Sequence, residues 1–205
     1  MFGSVFQFYQ FFEFNSLYFL KIDFESRKDS GSRNDCLISV AGTDVRIPQQ
    51  GPAIPGNQFS SHKFKGKCGL RYEIGVDILA GNIVWVYGPF AAGKYTDIEI
   101  FRLGLAHWLE EFERVEADDG YIGEAPQKVK CPGCVSNPDE NQEMQNSVQA
   151  RHESLNGRLK NWAILSTMYR HDLMEHGNVF RAIVVITQIC INAGEELFEV
   201  DYSDL

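Results

Sequence analysis

Positive charge is scarce in this chain: 19 Lys and Arg stand against 28 Asp and Glu among 205 residues, a net charge of -9. Broad electrostatic attraction to nucleic acid is therefore not expected, because phosphate binding needs clustered Lys and Arg. Two local clusters depart from the balance: His62, Lys63, Lys65, Lys67 and Arg71, and Arg151, Arg158, Lys160 and Arg170. Each, taken alone, reads as a solvated face or as a phosphate-binding patch. No apolar run reaches the roughly 20 residues of a bilayer span, and no basic region precedes the apolar start, so neither a membrane span nor a signal peptide is expected. Internal repeats are absent. Cysteine is limited to five residues, an odd number, which points to reduced intracellular thiols. Cys131 and Cys134 have half of a zinc-site spacing, with no second close pair to complete four ligands. The segment reads as a structural zinc site or as a tight turn carrying two thiols.

What is present is enough apolar material for a sizeable core: 44% hydrophobic and 13% aromatic residues, consistent with one domain. Residues 1–24 hold eight of the fifteen phenylalanines. They read either as an aromatic helix packed on the domain or as a start that is not native. Residues 26–34 are polar and carry Gly and Ser, so the domain is expected over 35–197, with an acidic tail at 198–205.

Strand patterns follow at 36–47, 69–79 and 82–87, with a hairpin turn at Ala80, Gly81 and Asn82. Together they predict a three-stranded antiparallel meander, with a long irregular connection at 48–62 marked by Pro48, Pro52 and Pro55. A capping box over Thr96 to Glu99 opens a predicted helix whose apolar stripe runs from Ile98 to Phe112. Residues 115–117 are a short strand candidate that places Asp118 at its C-terminal tip, and 123–136 reads as a loop. Asn137 and Pro138 then start a long helix carrying Glu153 on a different face from Leu155 and Leu159. Residues 179–192 are apolar nearly all round and predict a buried helix.

A meander, a helix, a strand ending in an acid and a later helix bearing another acid is the order of an RNase H-like α/β fold. The match sharpens at particular residues. Residues 39–47 and 63–77, Gly88-Pro89-Phe90 followed by 97–102, Asp118-Asp119-Gly120-Tyr121, and Arg151-His152-Glu153 with Gly157-Arg158-Leu159-Lys160 together resemble DDE superfamily endonucleases. These are the transposase domains of Harbinger-like elements and the proteins derived from them. The resemblance covers residues 35–193.

What the resemblance implies is divalent-metal-dependent cleavage of DNA phosphodiesters, with acidic residues holding Mg²⁺ or Mn²⁺. On matching positions Asp118 stands as the second acid and Glu153 as the third, both catalytic and metal-ligating. The first acid should precede Gly42 and Thr43, where this chain has Ala41, so activity is expected to be impaired. Asp44 is a substitute ligand only if a bulge at Gly42 re-aims it, since side chains alternate along a strand. Asp97 is assigned a structural role in the capping box, and His152 is either a packing residue or a phosphate-positioning one. Arg151, Arg158, Lys160 and Lys63 are the candidate contacts to DNA phosphates. The resemblance further implies a nuclear protein, otherwise a cytoplasmic one, and a separate Myb-like DNA-binding partner, since no helix-turn-helix precedes the domain. The competing expectation is a catalytically inactive, transposon-derived module that binds nucleic acid or protein; a decaying element fragment is a third.

Overall fold

The computed structural model describes residues 36–50 and 58–197. The Phe-rich start, the polar linker, the acidic tail and residues 51–57 of the Pro-rich connection lie outside them. The described chain is mixed α/β, built on one five-stranded sheet of order β3-β2-β1-β4-β5. Its strands are β1 (Cys36–Arg46), β2 (Gly69–Asp77), β3 (Ile83–Ala91), β4 (Arg114–Ala117) and β5 (Val129–Lys130). Strands β1, β2 and β3 form the expected antiparallel meander, whereas β4 pairs parallel to β1 and β5 parallel to β4.

The turn after β2 shows how local chemistry sets the meander. Asp77 accepts the backbone N–H groups of Leu79 at 2.8 Å and Ala80 at 3.1 Å, and Gly81 takes φ 70°, a conformation that suits glycine. Asp77 N–H to Asn82 C=O at 2.8 Å then closes the hairpin.

Among the described residues four helices complete the layers: α1 (Asp97–Leu103), α2 (Pro138–Lys160), the single turn α3 (Ala163–Ser166) and α4 (His176–Asn192). One sheet face carries Val45, Leu70, Tyr72, Ile74 and Val76, and buries them against Leu155 and Leu159 of α2 and Phe180, Ile183 and Val184 of α4. The other carries Ile38, Val40, Trp85, Val115 and Ala117 against Ile100 and Phe101 of α1 and Tyr121. Tyr72 stacks on Phe180 with ring centroids 3.8 Å apart and shares a 2.6 Å hydrogen bond with His176 Nδ1, which fixes α4 on the first face. Helix α2 begins as its sequence predicts, with Asn137 accepting the N–H of Asp139 at 3.1 Å. Val148, His152, Leu155 and Leu159 form its buried face.

Three features depart from expectation. The helix opened by Thr96 ends at Leu103 rather than running to Phe112, which is 84% exposed. Gly104 stops it: a Cβ there would lie 2.5 Å from the Tyr87 ring and 3.0 Å from Trp85, so the chain passes the sheet at glycine-only distance and turns away. The segment read as a loop at 123–136 supplies β5, too short for an alternation pattern to reveal. Helix α4 is not buried all round, since Val185, Ile186 and Ile189 are exposed.

Gly104→Ala should cost about 1–3 kcal/mol through overpacking against Tyr87 and Trp85, read as a lower urea midpoint. An unchanged midpoint would mean that the approach of this turn to β3 is not close-packed.

Candidate functional site

Strand β1 positions the site through period-two alternation. Its register with β2 is unbroken from Ile38 to Arg46, so there is no bulge at Gly42. Ser39, Ala41 and Thr43 therefore share one face, and Gly42 and Asp44 the other. On the first face, Ser39 Oγ is 3.0 Å from His152 Nε2, and Thr43 Oγ1 donates to Asn156 Oδ1 at 2.6 Å. His152 and Asn156 are one helical turn apart on α2. These two hydrogen bonds seat α2 across β1 on either side of Ala41, and Arg151 adds an ion pair to Glu116 of β4.

Between them lies a cleft of about 310 Å³ lined by Ala41, Gly42, Lys63, Asp118, Pro132, Gln149, His152, Glu153 and Asn156, among others. Three positions from segments far apart in sequence, 41, 118 and 153, thus meet in one cavity. Asp118 follows the tip of β4, where Val40 pairs with Ala117, and its Oδ1 accepts the Gly120 N–H at 2.8 Å. Glu153 is exposed toward the cleft side of α2, and Gln149 Nε2 donates to its Oε1 at 2.8 Å. Lys63 reaches in from the loop before β2 and donates to the carbonyl of Gly42.

Asp44 is not among the cleft residues. It points to the opposite face, as alternation requires, and is buried with Arg71 Nε at 2.8 Å from Oδ1, Arg71 Nη2 at 3.2 Å and Ser61 Oγ at 2.5 Å from Oδ2. Every oxygen of that carboxylate is engaged, which removes it from the donor set of the cleft. Arg71 also faces Asp97 Oδ1 at 3.5 Å. Asp97 itself takes no part in the capping box, which Thr96 and Glu99 make between them, Glu99 accepting the Thr96 N–H and hydroxyl at 2.8 Å each. Its carboxylate covers Gly42 so closely that a Cβ there would lie 1.9 Å from Oδ1. The structural role expected for Asp97 is therefore played through a different contact. The spacing around Thr96 gave no sign of that contact, because Gly42 is remote in sequence.

Electrostatics sort the remaining polar groups. Burial, reinforced by the charges of Arg151 and Lys63, pushes the His152 imidazole down to about 4, so it is a neutral packing residue on Ser39. Burial raises the Glu73 carboxyl to about 8, leaving it protonated at neutral pH beside the Trp85 indole N–H, which donates to Oε1 at 2.9 Å. Burial likewise raises Asp97, with Asp118 and Asp44 adding to the effect and Arg71 and Lys63 opposing it.

The basic candidates separate too. Lys63 lines the cleft, and Lys160 is exposed at the end of α2. Arg151 is held by Glu116, and Arg158 by Glu195 at 2.7 Å and by the carbonyls of Glu195 and Glu196. Both are structural ties between α2 and its neighbours. Asp119 turns from the cleft and accepts the Gly133 N–H at 2.7 Å.

Hard oxygen donors suit Mg²⁺ or Mn²⁺. Asp118 and Glu153 bring carboxylate oxygens to the cleft, whereas Ala41 presents only a methyl group. Among the described residues no group of three or more His, Cys, Asp or Glu is placed to hold a metal ion. Nor is any helix among them long and apolar enough to cross a membrane. Compared with protein-family models, with curated proteins and with solved structures, the chain matches none.

Arg71→Ala should cost about 3–5 kcal/mol by leaving Asp44 buried and unpaired. Asp44→Asn in the same chain should recover part of that, both read by chemical denaturation. His152 carries a pH signature of the opposite kind to an exposed histidine. Above pH 6.5 it is neutral in both states. From 6.5 down to about 4 the unfolded chain takes up a proton that the folded chain refuses, so the stability His152 supplies is lost as pH falls. The urea midpoint of His152→Gln should gain on that of the wild type across this window; a constant difference would contradict the assignment.

Proposed function

We propose that this chain is a transposon-derived nuclease domain of RNase H-like fold whose cleavage of DNA phosphodiesters is impaired by Ala41. The observation that carries this reading is the convergence of Ala41, Asp118 and Glu153 on one cleft. Two further features support it. The meander, helix, strand ending in an acid and helix bearing an acid occur in the order the fold requires. Asp118 also sits at the C-terminal end of a parallel strand, where α/β sheets place ligands.

In an intact site of this kind, Asp118 and Glu153 would hold Mg²⁺ or Mn²⁺, and the chemistry such a cation would supply is positive charge at the phosphodiester. The protein's own groups orient that arrangement. The Gly120 N–H fixes the Asp118 carboxylate, the Gln149 amide fixes Glu153, and the Ser39–His152 and Thr43–Asn156 bonds hold the two walls in register. Lys63 adds an ammonium in the cleft that suits a phosphate oxygen.

The same lysine favours a second reading, an inactive module that binds nucleic acid or protein. Its ammonium bonds the Gly42 carbonyl next to Ala41, so where the first carboxylate would attract a cation this chain presents a methyl group beside a positive charge. DNA and a separate Myb-like protein are the partners proposed for either reading, in the nucleus.

Mn²⁺-dependent nicking of supercoiled DNA separates the two. Ala41→Asp should cut roughly 1,000-fold faster or more than the unaltered chain, because one metal-ligating carboxylate accounts for several kcal/mol of the barrier. Glu153→Gln in that background should abolish the gain. Glu153-dependent cutting by the unaltered chain at a comparable rate would refute the impairment. A folded Ala41→Asp chain that binds DNA without cutting would leave the module reading standing in its place.

A further inference from the structure

Cys131 belongs to the core layer of Val115, Val129 and Tyr121, but the pairing of its thiol with Cys134 is used neither by that core nor by the cleft chemistry. Cys131 closes β5 and is fully buried, while Cys134 ends a 3₁₀ turn over Pro132–Cys134 and is exposed. Their sulfurs are 2.9 Å apart. The turn that brings them together is held from three sides. Cys134 N–H donates to the Cys131 carbonyl at 3.0 Å, Gly133 N–H to Asp119 Oδ1 at 2.7 Å, and Asn141 Nδ2 to the Pro132 carbonyl at 2.7 Å. The other three cysteines are free, with Cys36 and Cys68 buried and Cys190 partly exposed.

Two thiols in a C-x-x-C turn, one accessible and one enclosed, need to approach by less than about 1 Å to reach the S–S bond length of about 2.05 Å. We propose that Cys131 and Cys134 form a reversible dithiol–disulfide pair oxidised by a hydroperoxide, with Cys134 meeting the oxidant and Cys131 closing the ring. The Cys134 thiolate attacks one peroxide oxygen, the O–O bond breaks, and Cys134 becomes a sulfenic acid while the second oxygen leaves and is protonated to water or an alcohol. Cys131 sulfur then displaces the hydroxyl from Cys134, which departs as water with the Cys131 proton. Two thiols are oxidised by two electrons, and the peroxide is reduced by two. A dithiol reductant reverses the product by exchange.

The order of attack follows from the surroundings. Burial, the hydrogen bond to Cys134 and nearby negative charge push the Cys131 thiol up to about 12, so it stays protonated and shielded until its neighbour has reacted. Oxidation is also positioned to be felt in the cleft. Pro132 is part of the cleft wall, and Gly133 is tied to Asp119, the residue after Asp118. This inference does not rest on the nuclease reading.

The test is alkylation and peptide mass mapping of the full chain treated with hydrogen peroxide. Expected is loss of two alkylatable thiols, both in the peptide containing 131 and 134, which becomes two hydrogens lighter and is restored by dithiothreitol. Loss of Cys131 should keep pace with that of Cys134, because the partner sulfur is already in contact when the sulfenic acid forms. Cys131→Ser should leave a sulfenic acid on Cys134 that dimedone traps, and Cys134→Ser should leave Cys131 reduced. Oxidation of Cys134 without a link to Cys131, a link to another cysteine, or stoichiometric zinc held by these two sulfurs in the purified protein would each overturn the proposal.

Discussion

Strand β1 is hydrogen-bonded along both edges and packed on both faces, and everything that defines the cleft is referred to it. Its left and right neighbours run in opposite senses, β2 antiparallel and β4 parallel, so the tip of β4 ends beside the middle of β1. That offset places Asp118 next to Ala41. The alternation of β1, unbroken against β2 from Ile38 to Arg46, then decides which chemistry belongs to which layer. Polar residues at 39 and 43 dock α2, while Gly42 and Asp44 serve the layer of Arg71 and Asp97. A one-residue slip would exchange the two sets and destroy both.

The two layers handle charge differently. Below the sheet, Asp44, Arg71 and Asp97 form an enclosed cluster in which an arginine faces two carboxylates, with Glu73 kept neutral nearby. Above it, Asp118 and Glu153 are solvent-accessible, each oriented by a single neutral donor. The first arrangement favours rigidity, since buried ions are costly unless fully paired. The second leaves two carboxylates lining a cleft that also holds the Lys63 ammonium. The acidity of the chain as a whole therefore says little about the cleft itself.

Most of the fold was legible where periodicity and turn chemistry act locally. The meander, the start of α2 at Asn137, and the placement of Asp118 at a strand tip all came from patterns a few residues long. The separation of Asp44 from Ala41 followed from alternation alone. What was not legible depends on contacts between distant segments. Gly104 ends α1 because of Tyr87 and Trp85 on the preceding strand, β3. Asp97 reaches Gly42 rather than its own helix terminus. Arg151 and Arg158, read as phosphate contacts from their position on the helix, are taken by Glu116 and Glu195, partners no spacing rule connects. The two-residue β5 has no pattern of its own and exists because β4 offers it an edge.

The bonds between Ser39 and His152 and between Thr43 and Asn156 each join residues 113 positions apart. Strands β2 and β3, by contrast, close through the short turn at residues 78–82. Loop-closure entropy makes near contacts form before remote ones. The β2–β3 hairpin therefore closes the shortest loop in the sheet, while the two walls of the cleft meet only through α2, from the far half of the chain. A nascent chain released before α2 carries Ala41 and Asp118 on a nearly complete sheet yet has no cavity between them, so the site exists only as a property of the finished fold.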